Sequence, residues 1–180
     1  MNRIPRIQVD GHSPLLVRKE GMFYKEFPSD FKQIRYFTLL IIQKAPSSIR
    51  EVNLLEQQIS ELIKNAIKHG NRMDPQKKVR VWYNFSEDEA HLIVQDEGEG
   101  FQEIEKWNEF NEKRIRYFQE RDFEKMAEYV SYRTSRSDDL DGGNALFAAL
   151  EYWNGGIVFD EKRTSVGVKK LFTRRTVELI

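Results

Sequence analysis

Two spacings of apolar residues divide the chain into strand-like and helix-like stretches. Up to Asp30 the alternation is loose. It predicts short extended pieces at Ile7 and Val9, at Leu15 and Val17, and at Met22 and Tyr24 beyond Gly21. From Phe31 the period lengthens. Phe31, Ile34, Phe37, Leu40 and Ile41 predict an amphipathic helix capped by Ser29 or Asp30 and ended by Pro46. A second helix starts at Ser47 or Ser48, with Glu51 completing a capping box, and lines up Val52, Leu55, Ile59, Leu62, Ile63 and Ala66. Gly70 suits the left-handed position that closes such a helix.

Asn71 to Lys78 reads as a loop. Val79, Val81, Tyr83 and Phe85, then Ala90, Leu92 and Val94, follow a period of two around Glu87 and Asp88, which predicts an antiparallel hairpin. Ile104, Trp107, Phe110, Ile115, Phe118, Phe123, Met126 and Val130 give one or two charged helices with a narrow apolar stripe. The polar stretch from Ser131 to Asp141 has no period. A short helix follows Gly142 and Gly143 and ends near Asn154; Ile157 to Phe159 and Val166 to Phe172 then form a last strand pair. This order predicts a single α+β domain over residues 1–180, a two-layer sandwich of a mixed, mostly antiparallel sheet with its helices on one face.

Composition narrows the chemistry. Apolar residues make up 39% and charged residues 32%, which places the chain among globular proteins. Lys plus Arg equals Asp plus Glu at 29 each, so no global positive field draws the chain to nucleic acid. The absence of cysteine excludes disulfides, thiol catalysis and cysteine-ligated metals. No apolar run is long enough to span a bilayer and no apolar leader follows Arg3 and Arg6, so the expected location is cytoplasmic, with no membrane partner.

Four local patterns carry possible chemistry. Glu61 and Asn65 are four apart on the second helix, so they stack on one face about 6 Å from each other. An amide oxygen there can ligate Mg²⁺ while the carboxylate orients or deprotonates a hydroxyl; a solvated helix face is the plainer alternative. Asp96-Glu97-Gly98-Glu99-Gly100-Phe101 follows a strand. Its glycines permit close backbone approach and positive φ, and Asp96 can accept a hydrogen bond from an exocyclic amine; the alternative is an acidic turn. Gly142-Gly143-Asn144 opens a helix whose free N–H groups suit phosphate, or is a plain helix-start loop. Thr164 and Ser165 open the last strand. No Gly-x-x-x-x-Gly-Lys loop, early Gly-x-Gly-x-x-Gly or His-rich metal spacing is present.

In this order the patterns resemble the Bergerat or GHKL ATP-binding fold of gyrase, histidine kinases and MutL, and within it the single-domain serine kinases that act as anti-sigma factors. The family's N-box is matched by Glu61-x-x-x-Asn65-Ala66-x-x-His69-Gly70. Its first glycine box is matched by Asp96-x-Gly98-x-Gly100-Phe101, its second by Gly143-Asn144-Ala145-Leu146, and its closing Gly-Thr motif by Arg163-Thr164-Ser165-Val166. The resemblance spans residues 31–172. It implies ATP and Mg²⁺ as cofactors, Glu61 as the acid–base residue, Asn65 as the metal ligand and Asp96 as the adenine-recognising carboxylate. Gly98, Gly100, Gly142, Gly143, Asn144, Ala145 and Thr164 would complete the nucleotide pocket, and residues 102–142 would form an enlarged lid over it.

The sequence departs from the family at three places. Ala145 stands for the second glycine, and Arg163 for the glycine before Thr164. The lid is long and aromatic, and no arginine immediately precedes the second glycine box, so Arg133 or Arg136 would have to reach the terminal phosphate. The lid's stripe of Trp107, Phe110, Phe118 and Phe123 either packs on its own domain or forms a partner surface. The resemblance implies a serine/threonine protein kinase that binds a sigma factor and phosphorylates a small antagonist protein, with a homodimer as a further possibility. The alternative is a nucleotide-gated binding module without kinase activity. The catalytic fragment of a histidine kinase is a weaker reading, because His12 lies in a stretch not expected to be helical.

Overall fold

The computed structural model describes residues 4–128 and 145–173. Arg133, Arg136, Gly142, Gly143 and Asn144 therefore lie outside the described residues, as do the Ser131 to Asp141 stretch and residues 174–180.

Val79, Val81 and Tyr83 share one fully buried face of β3 (Lys78–Phe85), with Lys78, Arg80, Trp82 and Asn84 on the other; β4 (Glu89–Gln95) matches the buried face with Ala90, Leu92 and Val94. The two pair antiparallel, Val81 opposite Val94. β2 (Phe23–Pro28) joins the far side of β3. β6 (Ser165–Leu171) pairs with β4, β5 (Gly156–Phe159) pairs antiparallel with β6, and β1 (Gln8–Val9) runs parallel to β5. The result is one six-stranded mixed sheet, ordered β1-β5-β6-β4-β3-β2.

Its apolar face is covered by α2 (Ile34–Ile42), α3 (Val52–Asn65), the start of α4 (Ile104–Glu120) and α6 (Ala145–Tyr152). α5 (Phe123–Ala127) follows α4. Leu55, Ile59, Ile63 and Ile67, one helical face at intervals of four, are all 0% exposed. Burying a side chain of this size contributes about 1.5–3 kcal/mol, so this stripe is what holds α3 on the sheet. Phe27 and Phe37 stack at 4.3 Å and fix α2 over β2.

Local chemistry changes several boundaries. Leu15 and Val17 are not extended: Ser13 accepts the Leu15 N–H and Pro14 presets the first turn of α1 (Pro14–Val17). α1 lies on the opposite sheet face, where Leu16 packs with Ile93 and Val158. α2 ends before Pro46, because Lys44 and Ala45 already bond three residues back. Ser48 donates to Glu87 instead of capping α3, which begins after Glu51 in a left-handed conformation.

Candidate functional site

α3 does not stop at Asn65. It widens into a π-helical turn over Ala66–Gly70, with the Asn71 N–H reaching back five residues to the Ala66 carbonyl. Inserted turns of this kind redirect a helix end. Here the chain is carried against the turn that follows β4. Gly70 is not the left-handed closing residue; Arg72 and Met73 take positive φ instead, at 52° and 57°. Gly70 is required for space: a β-carbon there would overlap the Asp96 carboxyl group. Gly98 meets the same demand from the other side, since a β-carbon on it would overlap the Gly70 carbonyl. Of the two glycines in the turn only Gly100 uses positive φ, at 93°.

Asp96 follows the last residue of β4. Its N–H donates to the Thr164 carbonyl at 2.9 Å, and its Oδ1 accepts the Gly98 N–H at 2.8 Å. Burial raises its pKa to about 6; Asp160 pushes in the same direction, while the Gly98 N–H and Lys77 oppose it. Near neutrality the group is a desolvated, mostly ionised acceptor, suited to a ligand amine.

Glu61 and Asn65 lie on the last turns of α3, upstream of Gly70. Glu61 is half-buried, with Lys64 3.9 Å from its Oε2, and Asn65 is exposed. Asn65 lies five positions before Gly70, about 6–8 Å along the axis. The N-box helix end, the Asp96 turn and Thr164 are thus brought together. Thr164 is held by Asp160, whose Oδ1 accepts the N–H groups of both Thr164 and Ser165. Ala145 opens α6, which packs against α3. Among the described residues no group of three His, Asp or Glu side chains is placed to hold a metal ion.

Arg163 occupies a left-handed position, φ 59°, which explains why a glycine would suit it; its guanidinium reaches Glu105 on α4 at 2.9 Å. The aromatic stripe that opens with Trp107 divides. Ile104 and Trp107 are buried, and the Phe147 ring is flanked by Trp107, Phe110 and the Arg114 guanidinium. Phe118 and Phe123 are exposed. Asn108 clasps the N-terminal segment, accepting the Ile7 N–H and donating to the Ile7 carbonyl, both at 2.9 Å. Asn71, Asp160 and Asn108 are the residues that sequence reasoning missed. Asn108 and Asn111 carried a signal, being polar residues at the positions of a helix stripe that begins with Ile104 and Trp107.

Among the described residues no helix is long and apolar enough to cross a membrane. Residues 28–146 match the family described as histidine kinase-like ATPase domain. The matched span begins at the end of β2 and stops just inside α6, so it contains Glu61, Asn65 and the whole Asp96 turn. No curated protein matches the chain.

Proposed function

Because the chain belongs to the histidine kinase-like ATPase domain family, we propose that it is an ATP- and Mg²⁺-dependent serine/threonine protein kinase of the anti-sigma type, whose substrate is a small antagonist protein. The observation that carries this reading is the desolvated Asp96 carboxyl group pressed against Gly70, at the end of the helix that bears Glu61 and Asn65. The donor set fits the ligand. Asp96 would accept from the adenine amine, the glycine contacts leave room only for backbone at that wall, and Asn65 would supply an oxygen to Mg²⁺.

When bound, Mg²⁺ neutralises phosphate charge. Glu61 takes the proton of a serine or threonine hydroxyl as its oxygen bonds to the γ-phosphorus. The bond from that phosphorus to the bridging oxygen breaks, and ADP leaves. The pocket's phosphate side is assigned to Gly142, Gly143, Asn144 and Ala145, and the lid to residues 102–142. Arg133 or Arg136 is assigned to the terminal phosphate. The reading includes a sigma factor as binding partner and allows a homodimer.

The test is transfer of label from γ-labelled ATP to candidate antagonist proteins, with Glu61→Gln as control. Transfer by the unmutated protein and loss in E61Q with nucleotide affinity retained is the expected result; undiminished transfer by E61Q would overturn the role of Glu61. The second reading, a nucleotide-gated binding module, draws support from Ala145 at the start of α6 and from the Asn108–Ile7 bonds, which hold the start of α4 to the N-terminal segment. Nucleotide uptake without label transfer would favour it.

A further inference from the structure

We propose that Asn71 is the positioning residue of the nucleotide site, the side chain that locks the Asp96 turn to the end of the N-box helix; this rests on the nucleotide reading above. Asn71 is 0% exposed, although it sits in a loop of charged residues. Its Oδ1 accepts the Glu97 N–H at 2.7 Å, next to Asp96 in the chain. Its Nδ2 donates to the Ser29 hydroxyl at 2.9 Å and to the Lys78 carbonyl at 3.0 Å. Ser29 in turn donates to the Lys77 carbonyl. One amide therefore joins the ends of β2, the helix, β3 and β4, and its polar atoms are all satisfied.

The consequence is geometric. The Asp96 carboxyl group faces a wall made of Gly70 backbone, and that wall and the turn carrying the carboxylate are separate segments. Contact alone keeps them from interpenetrating but not from separating. The Glu97 N–H to Asn71 bond closes the gap, since Asn71 is covalently next to Gly70 and Glu97 is covalently next to Asp96. The Arg72–Glu99 ion pair and the Lys78 N–H to the Glu97 carboxylate also join these segments, but both are exposed to solvent; the buried Asn71–Glu97 bond is the unscreened tie that fixes the spacing a purine with its phosphates has to span. The two Nδ2 bonds serve another purpose: they seat the loop on β2 and β3.

This division gives the test. Adenine nucleotide affinity is measured by calorimetry with ADP and Mg²⁺, and stability by thermal unfolding, for N71A, N71D and S29A. N71A leaves the Glu97 N–H without its partner, and affinity is expected to fall about tenfold. N71D keeps an acceptor for Glu97 while losing the donors to Ser29 and Lys78, so it is expected to be less stable yet to bind within about threefold of the unmutated protein. S29A is expected to lose stability with affinity unchanged. Affinity falling in proportion to stability across all three variants, or N71A binding as tightly as the unmutated protein, would overturn the proposal. On the unmutated protein, amide hydrogen exchange at Glu97 is expected to be as slow as in β4, and exchange at the rate of an open loop would also overturn it. No nucleotide uptake by the unmutated protein would fell the nucleotide reading and this proposal together; uptake with an indifferent N71A would fell only the role of Asn71.

Discussion

The carboxyl group of Asp96 packs directly on the α-carbon of Gly70, with no room for a side chain between them. Two segments twenty-six positions apart thus share a wall, and that wall depends on a missing methyl group. Replacing Gly70 with alanine would force the Asp96 turn outward. The expected outcome is a loss of adenine nucleotide affinity of about tenfold or more, with overpacking costing about 1–3 kcal/mol of stability by urea unfolding. Normal affinity in a folded G70A would show that the Asp96 turn does not form the ligand wall.

Asp96 makes stability and binding respond oppositely to acid. Its pKa is raised by burial from 3.8 to about 6, so between those values the native state holds a proton that the unfolded chain has lost. This group's contribution to stability therefore falls as pH rises through that window and recovers as pH drops. The ionised form is the stronger acceptor for an amine, so affinity for adenine nucleotide is expected to be lower near pH 5 than near pH 7, by up to about tenfold. D96N removes the buried charge; it is expected to raise the melting temperature by about 2 °C at neutral pH while abolishing the pH response of binding. Calorimetry over this pH range together with thermal scans checks both.

Asn108 ties α4 to the N-terminal segment through both polar groups of Ile7. Asn108→Ala leaves a buried N–H and carbonyl without partners, and a loss of about 3 kcal/mol is expected in urea unfolding. Faster exchange of the Ile7 amide should accompany it. A change below about 0.5 kcal/mol would mean that water or a neighbouring group replaces the amide.

Arg163 combines a strained backbone with a weak external pair. A left-handed residue other than glycine costs about 1–2 kcal/mol. The Arg163 and Glu105 side chains are 30% and 72% exposed, so their pair is worth at most about 1 kcal/mol. R163G is therefore expected to stabilise the protein slightly, and a destabilisation above 1 kcal/mol by urea unfolding would show that the lid pair outweighs the strain.

Strong periods made most of the fold legible. Val79, Val81 and Tyr83 against Ala90, Leu92 and Val94 marked an antiparallel hairpin, whose second face also proved to be partly covered, by α1 over Ile93, and the Leu55, Ile59 and Ile63 stripe marked a buried helix. What escaped was decided by partners distant in the chain. Ser48 looks like a cap until Glu87 is placed beside it. Gly70 reads as a helix stop because a lone glycine does not reveal that Asp96 lies against it. In the site, Glu61, Asn65 and Asp96 were visible as residue types at a recognisable spacing. Asn71 was hidden in a polar loop, since a buried amide and a solvated one look alike in sequence. Asp160 was hidden for the same reason, as a turn acid whose importance comes from the two N–H groups it holds.

Asp96 and the helix bearing Asn65 are proposed to line one cleft for an adenine nucleotide. Calorimetric titration of the purified protein with a non-hydrolysable ATP analogue, with and without Mg²⁺, tests it most directly. Saturable binding that Mg²⁺ strengthens is expected, with D96N lowering affinity about tenfold and N65A abolishing only the Mg²⁺ effect. Absence of binding at millimolar nucleotide, or binding unaltered by both substitutions, would contradict it.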